Sequence, residues 1–207
     1  MARPGRHLEG ARTRERVLEV AAQLIANHGY AATSIARISK ASGANPASIY
    51  WAFESKEGLF AAVMERAAEA FFRELARPSD EPDPWTRLAA LSTAFEGGPE
   101  FLRLLLVLSL ERRDGDPAVL EAARRVRTNA ADQIAAGYAT ALDLDDELER
   151  RRIADSLARF TLMLFDGVFV ASQIEPETTD LERAFELIAV GVKATGERLV
   201  QEALAAR

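Results

Sequence analysis

The sequence predicts an all-α fold in two parts: a small N-terminal three-helix domain over residues 1–56, then a larger helical domain over 57–207. Three observations lead there. Apolar residues make up 48% of the 207 positions, enough to bury a core, and they are mainly alanine and leucine. Strand-forming runs of valine, isoleucine and threonine are missing. Apolar positions recur every three or four residues between clear helix-start signals.

The first helix is expected over about Thr13–His28, where Val17, Leu18, Ala21, Leu24 and Ile25 share a face and Gly29 supplies a left-handed stop. Residues 1–11 read as a disordered arm whose Arg3 and Arg6 are either a solvated tail or a minor-groove contact. A second, short helix opens at Thr33 or Ser34, turns Ile35, Ile38 and Ala41 inward, and ends at Ser42-Gly43. Asn45-Pro46 is a cap followed by a first-position proline, which starts a third helix ending near Phe53. Ser55 then caps a long fourth helix to about Ala76.

Pro78–Pro84 reads as a linker. Beyond it, Asp83-Pro84 starts a helix to about Glu96, and another covers about Glu100–Arg112. Asp116-Pro117 opens one to about Leu142, Asp145 or Asp146 one to about Ile174, and Thr179-Asp180 the last, to about Ala205.

Composition removes several function classes. With no cysteine there is no disulfide, thiolate metal site or cysteine nucleophile. His7 and His28 stand alone, without partners at metal-ligand spacing. No serine–histidine–acid set and no phosphate-binding glycine loop is present, so an enzyme is not expected, nor a cofactor or metal. The longest apolar run, Leu104–Leu110, is too short to span a bilayer, and no secretory signal opens the chain; a soluble cytoplasmic protein is expected.

The net charge of −6 is unevenly spread. Residues 1–56 hold eight Lys/Arg and four acids, or +4, and the remainder holds 18 and 28, or −10. Such a molecule meets a polyanion at one end only.

That end carries a helix (Ser34–Ala41), a tight turn at Gly43 and a second helix (Asn45–Trp51), the pattern of a helix-turn-helix. Ile38, Ala41, Ile49 and Phe53 are expected to pack on the first helix, leaving Asn45, Ala47, Ser48, Tyr50 and Trp51 outward. An exposed Tyr-Trp pair is costly against water and sensible against DNA, although Trp51 could equally pack on the first helix.

The stretch GYAATSIARISKASGANPASIYWAFESKEGLF, residues 29–60, resembles the DNA-binding domain of the TetR (tetracycline repressor) family. Gly29-Tyr30, Thr33-Ser34, Gly43, Ile49-Tyr50, Phe53 and Ser55-Lys56-Glu57 fall at the family's spacing. Two positions depart from it: Ala52 replaces a side chain that donates to a phosphate, and Ala44 replaces the usual valine in the turn. With Pro46 and Ala47 also unable to donate from their side chains, the reading helix should depend more on thymine methyls, backbone contacts and DNA shape.

Chemistry assigns Thr33 or Ser34 and the free N–H groups of the second helix to a phosphate, and Arg37 and Lys40 to further backbone contacts. Ser48 and Tyr50 are the candidates for base edges, with Asn45 a weaker one because capping occupies it. The resemblance makes Lys56 a phosphate clamp. It also implies a homodimer joined through the last two helices, binding double-stranded operator DNA as a repressor and releasing it when an apolar or aromatic small molecule enters the middle helices. Trp85, Phe95, Phe101, Leu105, Ser109, Tyr138, Phe160, Phe165 and Asp166 are the candidate lining. Asp166, a carboxylate on an apolar helix, needs a ligand, an arginine or the dimer axis beside it. A regulator of the same fold without a ligand, or one that activates, is the alternative.

Overall fold

In a computed structural model, the described residues are 4–75, 83–96, 100–110 and 117–206. Among them every regular element is an α-helix, and no helix is long and apolar enough to cross a membrane. The helices form two compact units, one drawn from residues 1–70 and 100–126, the other from 71–99 and 127–207. Most of the Pro78–Pro84 linker, the Gly97–Pro99 stop and the Asp116 cap lie outside the described residues.

In the first unit, α1 (Pro4–His28) is longer than its sequence pattern indicates. Residues 4–11, expected as a disordered arm, continue the helix; Arg6 lies on it and Arg3 is outside the described residues. The apolar stripe that sets the rotation of α1 begins only at Val17, so nothing amphipathic marks the upstream turns. Val17, Leu18, Ala21, Ala22 and Ile25 are fully buried, and Gly29 (φ 81°) ends the helix with its N–H on the Ile25 carbonyl at 2.8 Å.

Ser34 caps α2 (Ile35–Ser42) by accepting from the Arg37 N–H at 3.3 Å. Ile35 and Ile38 are buried as expected, but Ala41 faces solvent and Ser42 is buried in its place. The Ser42 hydroxyl accepts from the Ala44 N–H at 3.2 Å while Ser39 donates to the Ala44 carbonyl at 2.7 Å. This bracing of the turn puts Ser42, and not Ala41, inside. Gly43 (φ 73°) takes the left-handed conformation that a Cβ would strain.

α3 (Pro46–Phe53) starts as its sequence dictates, with Asn45 Oδ1 accepting from the Ala47 N–H at 2.9 Å and proline first in the helix. Ile49 and Phe53, one turn apart, are its buried residues and anchor it on α1. Burying the two side chains contributes about 2–3 kcal/mol each. α4 (Lys56–Leu75) buries Leu59, Phe60, Val63, Met64 and Ala68, and α7 (Glu100–Leu110) buries Phe101, Leu102, Leu104 and Leu105 while packing on α1. Exposed ion pairs, Glu15–Arg66 and Glu65–Arg125, tie neighbouring helices and add little.

In the second unit, the helix expected over 83–96 is two: α5 (Pro84–Ala89), capped by Asp83, and α6 (Ser92–Phe95). The Ala90 N–H still reaches the Thr86 carbonyl four residues back, but the Leu91 N–H reaches Leu88, only three back, and the α ladder stops there. Both segments pack on α10 (Leu181–Ala205), and that tertiary demand overrides the helical propensity of Ala89-Ala90-Leu91.

α9 (Glu147–Ile174) and α10 start where Asp146 and Asp180 accept from N–H groups three residues on. They approach closely at Gly196, where a Cβ would sit 3.0 Å from Leu157 Cδ1. The core is aromatic: Phe95 lies 5.3 Å from Phe165 and 4.7 Å from Phe185, centroid to centroid. Trp85 stacks on Tyr138 at 4.8 Å, Tyr138 belonging to the second-unit part of α8 (Pro117–Ala139).

The Tyr138 hydroxyl meets Thr161 Oγ1 at 2.9 Å, and Thr161 also donates to the Leu157 carbonyl at 2.9 Å, so Tyr138 is the donor in the pair. Burial pushes Tyr138 up to about 12, while the bond to Thr161 pulls the other way. Its stabilising contribution is complete below the ordinary value of 10 and is lost as pH rises from there towards 12, because only the unfolded chain ionises in that window. By pH 12 the loss should reach about 2 kcal/mol, and Tyr138→Phe should not show it. Denaturant unfolding of both proteins between pH 9 and 12 checks this; parallel pH profiles would overturn it. Thr161→Val, which orphans the buried hydroxyl, should cost about 1–3 kcal/mol at neutral pH and more than Tyr138→Phe.

Candidate nucleic-acid interface

Burial of Ile49 and Phe53 fixes the rotation of α3, and the remaining side chains must then face outward. Asn45, Ala47, Ser48, Tyr50, Trp51 and Ala52 are all exposed. Trp51, which could have packed against α1, is 89% exposed, and Tyr50 is 50% exposed. On α2, Ser34, Arg37 and Lys40 are exposed as well, so the structure gathers these residues at the helix-turn-helix.

Two assignments change. Thr33 is fully buried and its hydroxyl donates to the Gly29 carbonyl at 2.8 Å, so it closes the α1–α2 turn and has no face for a phosphate; Ser34 is the exposed member of the pair. Lys56 is half-buried, and its ammonium donates to the Tyr30 carbonyl at 3.3 Å. It lies 4.6 Å from the Tyr30 ring centre and 5.4 Å from that of Phe60. The lysine therefore braces the start of α4 against the α1–α2 turn, in addition to any phosphate it meets.

Arg37 is partly engaged too, donating to the Ala32 carbonyl at 3.1 Å. Sequence reasoning missed Arg14, whose guanidinium lies 5.0 Å from the Phe53 ring centre at the end of α3. Its signal was its register: Arg14 precedes Leu18, Ala21 and Ile25 on the inward stripe of α1.

The candidate lining residues divide. Trp85, Phe95, Tyr138 and Phe165 are buried in the second unit, where Trp85 meets Tyr138 and Phe95 meets Phe165. Phe160 is half-buried there. Phe101 and Leu105 are core residues of the first unit, and the Ser109 side chain lies outside the described residues. Asp166 found an arginine: its carboxylate accepts from Arg127 at 3.0 Å, and both side chains are about one-third exposed. Among the described residues no cluster of three or more histidines and acids could hold a metal ion.

Residues 17–63 match the family described as bacterial regulatory proteins, tetR family. Over 58 residues, 28% of this chain and 28% of the relative, the sequence is 43% identical to the HTH-type transcriptional repressor ComR of Escherichia coli (strain K12). The aligned segment thus spans about a quarter of the length of the curated relatives it matches. A putative TetR-family transcriptional regulator from a Rhodococcus species superposes with a TM-score of 0.70 at 16% identity, over 89% of this chain and 98% of that one. The structure of SmeT in complex with triclosan superposes with a TM-score of 0.65 at 25% identity, over 88% and 90%. The likeness to the tetR family of bacterial regulatory proteins is thus carried in sequence by the N-terminal segment, residues 17–63, while the solved structures share the fold over most of the chain.

Proposed function

We propose that this chain is a cytoplasmic, dimeric transcriptional repressor that grips operator DNA with α2 and α3 and leaves it when a small apolar or aromatic molecule binds the second unit. The observation that carries the reading is the solvent-facing Ser48-x-Tyr50-Trp51 surface of a capped, anchored α3. A large apolar surface left in water on a helix of eight residues is explained by a partner, and the family match makes DNA that partner.

A dimer is supported by the outer faces of α9 and α10. Met163, Leu187 and Val190 are more than half exposed, and Gly167 and Gly191 are exposed with open space beyond them. These positions are where a second copy would bury apolar side chains and bring helix backbones close. An effector is supported by the aromatic interior of the second unit and by the triclosan held by SmeT.

Two reading helices of a dimer must enter successive major grooves about 34–36 Å apart, so the footprint should be a two-fold palindrome. Val190→Glu should give a folded monomer that fails to protect it, measured by light scattering and footprinting. A dimer that persists in this variant, or an asymmetric half-site, would count against the reading.

Ser48→Ala and Tyr50→Ala should change the preferred sequence, whereas Lys40→Ala should weaken binding to all sequences alike and reduce the salt slope by about one per contact. Selection from a random duplex library on each variant distinguishes the two behaviours, and a specificity change at Lys40 would reverse the assignment.

Release requires that an effector bind the DNA-free form more tightly, with a coupling of about 1–3 kcal/mol, and that DNA weaken effector binding by the same factor. Titrating triclosan with and without saturating operator measures that coupling directly. Binding of equal strength in both would refute release by this ligand and favour a regulator without an effector.

A further inference from the structure

The proposed reading helix carries no positive charge. Its outward side chains are neutral, and no basic residue occupies its last turn. Its C-terminal end is the less favourable for DNA, because unsatisfied carbonyls give that end partial negative charge and exposed Glu54 follows directly. A major groove is walled by phosphates, so this end needs a cation from elsewhere in the unit.

Arg14 of α1 meets that need. Its guanidinium stands over the ring of Phe53, the last residue of α3, at 5.0 Å, and the residue is exposed. Arg14 sits one turn ahead of Leu18 on the buried stripe of α1, which aims it at α3; Arg12 and Arg16 lie about 200° round the helix. A guanidinium held over a ring by a cation–π contact makes no hydrogen bond there, so its N–H groups are kept for phosphate oxygens.

We infer that Arg14 is a phosphate-contacting residue, held by Phe53 at the C-terminal end of α3 to offset the negative charge there. The inference rests on the proposed DNA-binding function. Arg14 lies ahead of the matched segment, residues 17–63, so the family match does not assign it a role.

The competing role is packing alone, in which the side chain merely covers Phe53. Arg14→Met keeps that cover and removes the charge; Arg14→Gln also removes the charge and keeps a planar end. Binding of the full-length protein to a mixed-sequence duplex is followed by fluorescence anisotropy across a salt series, alongside thermal unfolding. The two neutral variants should unfold near the wild-type midpoint, bind several-fold more weakly, and lose about 0.9 from the salt slope per bound protomer. Arg14→Lys should keep the slope.

Wild-type slopes in both neutral variants would overturn the inference and leave the packing role. An equal loss in Arg16→Met, on the opposite face of α1, would overturn it as well, by showing a response to net charge alone. If the wild-type protein itself bound no duplex at low salt, the DNA-binding function would fall first, and that outcome is visible before any variant is compared.

Discussion

The candidate interface depends on one constraint: an eight-residue helix can be anchored by only one face. Ile49 and Phe53 take that face of α3, and every other feature of the surface follows from their burial. A helix anchored at positions one turn apart cannot also bury Trp51, two residues from each anchor, so the tryptophan is 89% exposed. The caps at Asn45 and Gly43 set where α3 begins; the anchors set how it is rotated. Replacing an anchor by a polar residue would leave the caps intact and still lose the surface, because the helix would be free to turn Tyr50 and Trp51 inward.

Charge at this surface is arranged around α3 and not on it. The positive head of the sequence is real as a sum, but part of it is engaged internally: Lys56 on the Tyr30 carbonyl and ring, and Arg37 on the Ala32 carbonyl. Long-range attraction of a polyanion depends on the sum and is little changed by such contacts. Short-range contact depends on which donors still face outward, and here those are Lys40, Ser34 and Arg14, the last held over the Phe53 ring. In the proposed complex with DNA, attraction and grip would therefore come from different residues of the same unit.

What could be read from the sequence was whatever is decided within about four residues. Caps at Asn45, Asp83 and Asp180, the proline starts and the left-handed Gly29 and Gly43 are local chemistry, and each fell where its residue type placed it; for the caps at Ser34 and Asp146 residue type left two neighbours open. Decisions made by distant partners were not legible. The break between α5 and α6 comes from packing on α10, and the inward turn of Lys56 comes from Tyr30, 26 residues earlier. Thr33 and Ser34 are equally good caps by type, and only the Gly29 carbonyl decided which of them is buried. Asp166 shows the useful middle case: its cost in an apolar helix guaranteed a partner, while the identity of that partner, Arg127, required the fold.

The same distinction bears on how an effector would act. Phe95, Phe165 and Phe185 already satisfy one another at 4.7–5.3 Å, and each such pair contributes about 0.5–1.5 kcal/mol beyond its buried area. A molecule entering among them must separate rings and offer each a replacement contact, which an apolar or aromatic compound does and a charged one does not. The Asp166–Arg127 pair adds little resistance, since both groups are partly exposed and screened. The three rings thus close on one another, and a molecule held among them would require a different arrangement. Because packed aromatic cores exchange between discrete arrangements and do not deform continuously, an effector bound there selects a state, and selection between states is what a regulatory coupling requires.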